Sequence, residues 1–195
     1  MAMGRPRAFD RDQALDQALH VFWQNGYEGT SIADLTEAMG INPPSLYAAF
    51  GNKETLFREA LDRYEARRDE IMAEAFAAPT AREAMTRLLE GTADRLSDKG
   101  KPRGCLMVQG ALCGGEECET VKRDLASRRA GGEALIRERL KRAKREGDLP
   151  NDADPAALAR FVSTILQGMS VQASGGATRK ELHAIADIAL RAWPT

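Results

Sequence analysis

The sequence has no long apolar run, no leader-like segment and few cysteines, and each shortage excludes a class of protein. No apolar stretch approaches the roughly 20 residues that cross a bilayer, and residues 1–11 are polar, unlike the apolar centre of a signal peptide. The three cysteines are an odd number confined to residues 105–118, which argues against a secreted disulfide framework. We therefore expect a cytoplasmic protein that does not enter a membrane.

The sequence also lacks the short motifs that mark common catalytic and cofactor sites. It contains no Gly-x-Gly-x-x-Gly, no phosphate-binding loop, no nucleophile elbow and no His-Glu-x-x-His. Because no Cys-x-x-Cys is present and His20 and His183 are far apart, we expect neither a metal site nor a cofactor. The protein is therefore not expected to be an enzyme. Two alternatives stay open: a cysteine-dependent redox protein built on Cys105, and a helical module that binds other proteins.

Charge does not by itself indicate a nucleic-acid partner. The 195 residues carry a formal net charge of −1, and acidic residues outnumber basic ones within residues 1–60. The composition, 43% apolar and 29% charged, is ordinary for a globular chain long enough to bury a sizeable core. Any argument for DNA binding must therefore rest on where particular residues lie.

Apolar residues recur at helical spacing along almost the whole chain. Leu15, Leu19 and Phe22 lie on one face of a first helix, and no stretch alternates with period two. Capping residues, glycines and prolines divide the pattern into about nine helices, of which the first three are short. We predict an all-α fold with two domains: a three-helix DNA-binding domain over 1–55 and a helical ligand-binding and dimerisation domain over 56–195.

The segment 30–50 has the pattern of a helix-turn-helix. Two short helices are joined by residues 39–42, which include Gly40, and Asn42 with Pro43 is a favoured helix start. In this motif the second helix enters the major groove. Leu46 and Phe50 fall on its inner face, so the opposite face is small and flat. The alternative is three small helices that pack together without contacting DNA.

Several residues of this segment have the chemistry for contacts with DNA. Ser45 can bond a base edge, and Ala48 or Pro44 can touch a thymine methyl group. The Tyr47 hydroxyl and the Lys53 ammonium suit phosphates. Thr30 and Ser31 offer hydroxyls and free N–H groups at a helix N-terminus, which favours a phosphate, and an arginine arm can enter the minor groove. The predicted DNA-binding residues are Arg5, Arg7, Thr30, Ser31, Asn42, Pro44, Ser45, Tyr47, Ala48 and Lys53.

The same segment resembles the DNA-binding domain of the TetR family of transcriptional regulators over about residues 8–57. The strings that carry the resemblance are GYEGTSIADL (26–35), MGIN (39–42), SLYAAF (45–50) and NKETL (52–56). The sequence departs from the family pattern in two places: the family often has His or Tyr where Ala49 stands, and Ser, Arg or Gly in place of Pro43-Pro44. The resemblance implies a repressor that binds a palindromic operator as a homodimer through its last two helices.

The resemblance further implies that a small-molecule inducer or cysteine modification releases the DNA. The segment from Arg103 to Gln109 resembles a motif of a TetR subgroup in which a cysteine precedes an apolar helix. A helix N-terminus and Arg103 would favour the thiolate of Cys105, with Cys113 and Cys118 as resolving partners. The alternative is a buried structural thiol. The predicted ligand-binding or sensing residues are Cys105, Met107, Val108, Gln109, Phe161, Ile165 and Met169.

Overall fold

The computed structural model describes residues 9–110 and 119–194. Within these ranges all regular structure is helical and no strand is present, which confirms the predicted all-α fold. None of the described helices is long and apolar enough to cross a bilayer. The helices are α1 (Arg11–Asn25), α2 (Ile32–Met39), α3 (Pro43–Phe50), α4 (Lys53–Phe76), α5 (Ala81–Leu96), α6 (Leu106–Gln109), α7 (Glu119–Arg145), α8 (Pro155–Ser174) and α9 (Arg179–Arg191).

Side-chain caps fix where the first helices begin. The Asp10 carboxylate accepts from the N–H groups of Asp12 and Gln13 at the start of α1. At the start of α4, the Asn52 side-chain oxygen accepts from the Thr55 N–H at 2.9 Å. Each bond satisfies a backbone donor that a helix start leaves without an intrahelical partner. The sequence therefore encodes these boundaries locally.

The first compact unit ends at Tyr64 and contains α1 to α3 with the first part of α4. Its core includes an aromatic cluster in which the Phe57 ring lies 4.9 Å from Phe22 and 5.0 Å from Tyr27. The Trp23 ring packs edge-on against Tyr64 at 4.9 Å. The predicted domain limit was residue 55, whereas this unit extends nine residues further because the apolar face of α4 over 56–64 supplies part of its core.

The second compact unit begins at Glu65 and contains the rest of α4 with α5 to α9. Its largest cluster of buried side chains comes from α4, α5, α7, α8 and α9. Helix α4 ends just before Pro79, where a buried arginine from α7 replaces the missing helical donors: Arg139 Nε and Nη2 donate to the carbonyls of Phe76 and Ala78 at 3.1 and 2.9 Å. These bonds hold the end of α4 against α7.

Candidate nucleic-acid interface and ligand cavity

The turn between α2 and α3 is closed by backbone hydrogen bonds that need a left-handed residue. Gly40 has φ +66°, a conformation that side-chain-bearing residues rarely adopt. The Gly40 N–H donates to the Glu37 carbonyl at 3.2 Å, and the Ile41 N–H donates to Thr36 at 3.1 Å. Asn42 then caps α3, since its side-chain oxygen accepts from the Ser45 N–H at 2.9 Å. Thus α3 begins at a fixed place relative to α2.

Helix α3 has one buried face and one exposed face. Leu46 and Phe50 are buried in the core of the first unit. On the opposite side Pro44 and Ala48 are exposed, and half of the Tyr47 side chain is accessible to solvent. Ser45 is half-buried between the two faces. The exposed face carries small groups and one phenol hydroxyl, which suits close approach to the floor of a groove.

The polar groups of Thr30 and Ser31 already have partners inside the chain. Thr30 is only 1% exposed, and its hydroxyl donates to the Gly26 carbonyl at 2.7 Å. Ser31 forms a capping box with Asp34. The pKa of Asp34 lies below its ordinary value, first because the Ser31 N–H donates to this carboxylate and then because the Ser31 hydroxyl does. A carboxylate therefore already occupies the N-terminus of α2, where a phosphate was expected.

Most cations of the first unit are paired with acids. Of the four in residues 9–64, Arg11 pairs with Glu59, Arg58 with Glu54, and Arg63 with Asp12 and Asp16. In this part of the chain only Lys53 forms no salt bridge, and its ammonium lies 4.5 Å from the centre of the Tyr27 ring. Lys53 is therefore held in place while keeping its charge for another partner. Arg5 and Arg7 lie outside the described residues.

Arg11 is a positioning residue that no sequence pattern indicated. Its guanidinium lies 4.4 Å from the centre of the Phe50 ring and donates to the Ala49 carbonyl at 3.2 Å. The same group pairs with Glu59 at 2.7 Å. Arg11 therefore ties α1, α3 and α4 together at the end of α3. No short motif could indicate this, because its partners are 38 and 48 residues away.

The second unit contains a cavity of about 100 Å³. Its wall is mostly apolar and comes from α4, α5, α7, α8 and the segment that leads into α6. The lining residues are Arg68, Ile71, Met72, Leu88, Thr92, Arg95, Cys105, Met107, Val108, Arg129, Gly132, Glu133, Ile136, Ser163, Leu166, Gln167 and Ser170. Cys105, Met107 and Val108 are thus at the predicted cavity.

The other four residues predicted for this cavity lie elsewhere. Met169 is fully buried in the core and Ile165 packs against that core, whereas Phe161 is 36% exposed on the outer side of α8. Gln109 binds across to α8 instead: its amide donates to the Arg103 carbonyl at 3.0 Å and to the Ser174 hydroxyl at 2.9 Å. The stripe at 163, 166, 167 and 170, also at helical spacing, faces the cavity.

Cys105 is half-buried and stands immediately before α6. The preceding residue, Gly104, has φ +85°, and a Cβ there would meet the Ser174 hydroxyl at 2.2 Å. Within the described residues helix α6 covers Leu106–Gln109, and Cys105 is its N-cap residue. Cys113 and Cys118 lie outside the described residues. No three His, Cys, Asp or Glu side chains within 9–110 and 119–194 are placed to hold a metal ion.

The cavity wall includes hydroxyl groups and guanidinium groups. Thr92, Ser163 and Ser170 are each more than nine-tenths buried and line the cavity. Two arginines meet at Met107: Arg129 donates to its carbonyl at 2.6 Å, and Arg68 Nη1 lies 3.5 Å from its sulfur. The wall therefore offers hydroxyls and guanidinium groups beside a largely apolar space.

The outer side of α8 and α9 exposes large apolar side chains. Ile188 of α9 is 66% exposed, and Val171 and Phe161 of α8 are 53% and 36% exposed. Between the latter two, Gly168 is exposed, and a Cβ there would meet no atom within 4 Å. Exposed apolar groups gathered on neighbouring helices are typical of a surface that another protein covers.

Two family models match this chain. The model described as bacterial regulatory proteins of the tetR family matches residues 14–60, which contain the helix-turn-helix. A second, described as the tetracyclin repressor-like C-terminal domain, matches residues 81–187. The two matched regions together cover well over half of the chain.

Individual proteins agree with these family models over nearly the full length. Two Escherichia coli K12 proteins, the HTH-type transcriptional repressors ComR and BdcR, are 40% and 32% identical to this chain, each over 98% of it and over 92% and 93% of their own lengths. A cysteine-substituted form of the regulator CifR, solved in complex with 26-bp double-strand operator DNA, is 50% identical with a TM-score of 0.94. That similarity covers 98% of this chain and 100% of CifR.

Proposed function

Because this chain belongs to the TetR family of bacterial regulatory proteins, we propose that it is a cytoplasmic repressor that binds a palindromic operator as a homodimer. In this proposal the first unit reads DNA, and the second forms the dimer and binds the inducer. The exposed face of α3 carries the proposal, since it is small, flat and fixed at both ends. Similarity to CifR in its complex with operator DNA supports the same assignment.

The residues proposed to contact DNA divide by chemistry. Ser45, with Pro44 and Ala48 beside it, reads base edges and methyl groups from the groove-facing side of α3. Tyr47 and Lys53 bind phosphates, which position the protein without reading sequence. Asn42 contributes by capping α3, and the arm that contains Arg5 and Arg7 supplies the remaining cations. Thr30 and Ser31 act through the local bonds that shape the start of α2.

The homodimer is proposed to form through α8 and α9. The exposed side chains of Phe161, Val171 and Ile188 support this, because a second copy would remove them from water, and the bare surface at Gly168 lets two helices approach closely. A two-fold dimer presents the same α3 twice, so each half of the operator carries the same sequence in opposite orientation.

Release of DNA is proposed to begin at the cavity of the second unit. A ligand there, or an adduct on Cys105, adds bulk where protein interiors are close-packed. Two of the substituted cysteines of CifR are eight residues apart, the spacing of Cys105 and Cys113 in this chain. Helix α4 lines the cavity with Arg68, Ile71 and Met72 and continues without a break back to Lys53. A shift of α4 is the proposed link between ligand and DNA-binding unit.

The proposal is tested with DNA from upstream of the protein's own gene. We expect an electrophoretic mobility shift, and a footprint that covers two inverted half-sites about one helical turn, or a whole number of turns, apart. Scrambling either half-site should weaken binding strongly. A single asymmetric half-site that binds with full affinity would contradict the dimeric repressor.

Substitutions on α3 separate base reading from phosphate binding. Tyr47→Phe and Lys53→Ala should weaken binding by a similar factor on every DNA sequence, because phosphate contacts carry no sequence information. Ser45→Ala should instead change the preferred base at one position in each half-site. Selection from randomised operators followed by sequencing measures both effects. The assignment is wrong if Tyr47→Phe changes base preference and Ser45→Ala does not.

Cysteine substitutions test whether an adduct on Cys105 releases the DNA. An alkylating electrophile should weaken operator binding by the wild-type protein about a hundredfold, which corresponds to a loss of only about 2.7 kcal/mol of binding free energy. Cys105→Ser should retain DNA under the same treatment, with Cys113→Ser and Cys118→Ser measured in parallel. Titration by fluorescence anisotropy of labelled operator gives the affinities. If Cys105→Ser responds as the wild type does, this thiol is structural and a reversible ligand is the inducer.

A further inference from the structure

The charged side chains around the cavity of the second unit differ in whether they are paired with an opposite charge. Arg68 is paired with Glu65 at 3.1 Å and Asp69 at 2.7 Å. The carboxylate in the wall, Glu133, is paired with Arg160 at 2.8 Å.

Arg129 differs from these neighbours. Its guanidinium has five N–H donors, and its one bond within the described residues is to the neutral carbonyl of Met107. The Arg129 side chain is half-buried beside an apolar space, where an uncompensated charge is costly. An anion would be the natural partner of this group, because arginine binds carboxylates through two parallel N–H donors.

Three hydroxyl groups in the cavity wall suit a ligand that carries a polar group. Thr92 projects from α5, and Ser163 and Ser170 project from α8; all three are at most 6% exposed and line the space. A hydroxyl group both donates and accepts hydrogen bonds. A ligand with oxygen acceptors would therefore find donors in this wall.

We propose that this cavity binds a small organic monocarboxylate whose anionic group contacts Arg129 and whose short apolar body lies against Ile71, Leu88 and Leu166. This inference rests on the proposed function and names the chemical class of its inducer. The volume of about 100 Å³ suits a small ligand, since a cavity of roughly 150 Å³ holds one benzene molecule.

Reversible binding is tested with butyrate and its neutral analogue butyramide. Isothermal calorimetry on the full-length protein should give a Kd at least tenfold lower for butyrate than for butyramide, a difference of about 1.4 kcal/mol in binding free energy. Arg129→Gln should remove that preference, and Arg129→Lys should retain part of it. Arg123→Gln is the matched control, since Arg123 is on the same helix and also donates to a backbone carbonyl, that of Glu119. Equal binding of the two compounds, or equal loss in Arg123→Gln, overturns the proposal.

The alkylation rate of Cys105 provides a second measure of anion preference in the same cavity. In a Cys113→Ser, Cys118→Ser background, the Cys105 sulfur displaces iodide from iodoacetate or iodoacetamide; a C–S bond forms, the C–I bond breaks, and the thiol proton passes to buffer. For each thiol the alkylation rate with iodoacetate is divided by the rate with iodoacetamide. This ratio should be about tenfold higher for Cys105 than for glutathione in solution, and Arg129→Gln should return it to the glutathione value. Mass spectrometry follows both reactions. A ratio that equals that of glutathione in the wild type overturns the proposal.

The outcomes distinguish this inference from the proposed function. If the protein binds its operator and neither butyrate nor iodoacetate is favoured over the neutral analogue, the inference is wrong and the repressor stands. If Arg129 favours the anions and no operator DNA is bound, the carboxylate site stands and the repressor is wrong.

Discussion

Replacement of Phe57 by alanine is expected to abolish operator binding, although this side chain is fully buried and cannot touch DNA. The ring packs against Phe22 and Tyr27 at 4.9 and 5.0 Å, so its removal leaves a cavity among aromatic neighbours. Truncation of a buried Phe to Ala costs about 3–5 kcal/mol. The first compact unit ends at Tyr64, and the free energy of unfolding of a unit of this size is only a few kcal/mol.

The measurement combines thermal unfolding by circular dichroism with operator titration. We expect Phe57→Ala to lower the melting temperature of the first unit and to reduce operator affinity by more than a hundredfold, whereas the dimer formed by the second unit persists in gel filtration. Phe57→Leu, which keeps most of the side-chain volume, is the control, and its melting temperature and operator affinity should fall far less. A Phe57→Ala protein that melts and binds DNA as the wild type does would show that this aromatic cluster does not support the DNA-binding unit.

Replacement of Ile188 by aspartate is expected to split the proposed dimer and reduce operator affinity by about 10²–10⁴. Ile188 is 66% exposed in the single chain, so the change costs the monomer little. In a dimer the same position is covered, and a buried unpaired carboxylate is strongly unfavourable. Each monomer would then bind one half-site alone, without the gain that comes from two linked sites.

The matched control is Leu135→Asp. Leu135 is also a large apolar residue with high exposure, 43%, but it lies on α7. Sedimentation equilibrium and operator titration on both variants give the oligomeric state and the affinity. A dimeric Ile188→Asp protein, or a Leu135→Asp protein that dissociates to the same extent, would assign the interface to another surface.

The sequence was sufficient for the parts of the fold that depend on local chemistry. Asp10, Asn42 and Asn52 cap helices through bonds to residues at most three positions away, so each boundary could be inferred from a few neighbours. The inner face of α3, with Leu46 and Phe50, followed from helical periodicity alone. The family resemblance rested on this same segment and is confirmed by the match to residues 14–60.

The cavity could be predicted only in part, because its wall combines residues that are distant in sequence. Helix α8 has apolar residues on more than one side, and periodicity does not say which side meets the core and which meets a cavity. Met169 and Leu166 illustrate this: the first is buried in the core, whereas the second faces the cavity. At Ser31 the structure adds a capping box with Asp34, which gives the hydroxyl a partner within the chain.

The pairing of arginines with acids in the first unit has a kinetic consequence. Attraction to DNA of any sequence comes mainly from cations that displace counterions from phosphates, and Arg11, Arg58 and Arg63 are already engaged by carboxylates. Compared with a protein in which these three arginines were free, this one would dwell more briefly on unrelated DNA and slide less along it. More of its search for the operator would then proceed by dissociation and diffusion through solution, and fewer copies would be sequestered on the rest of the chromosome.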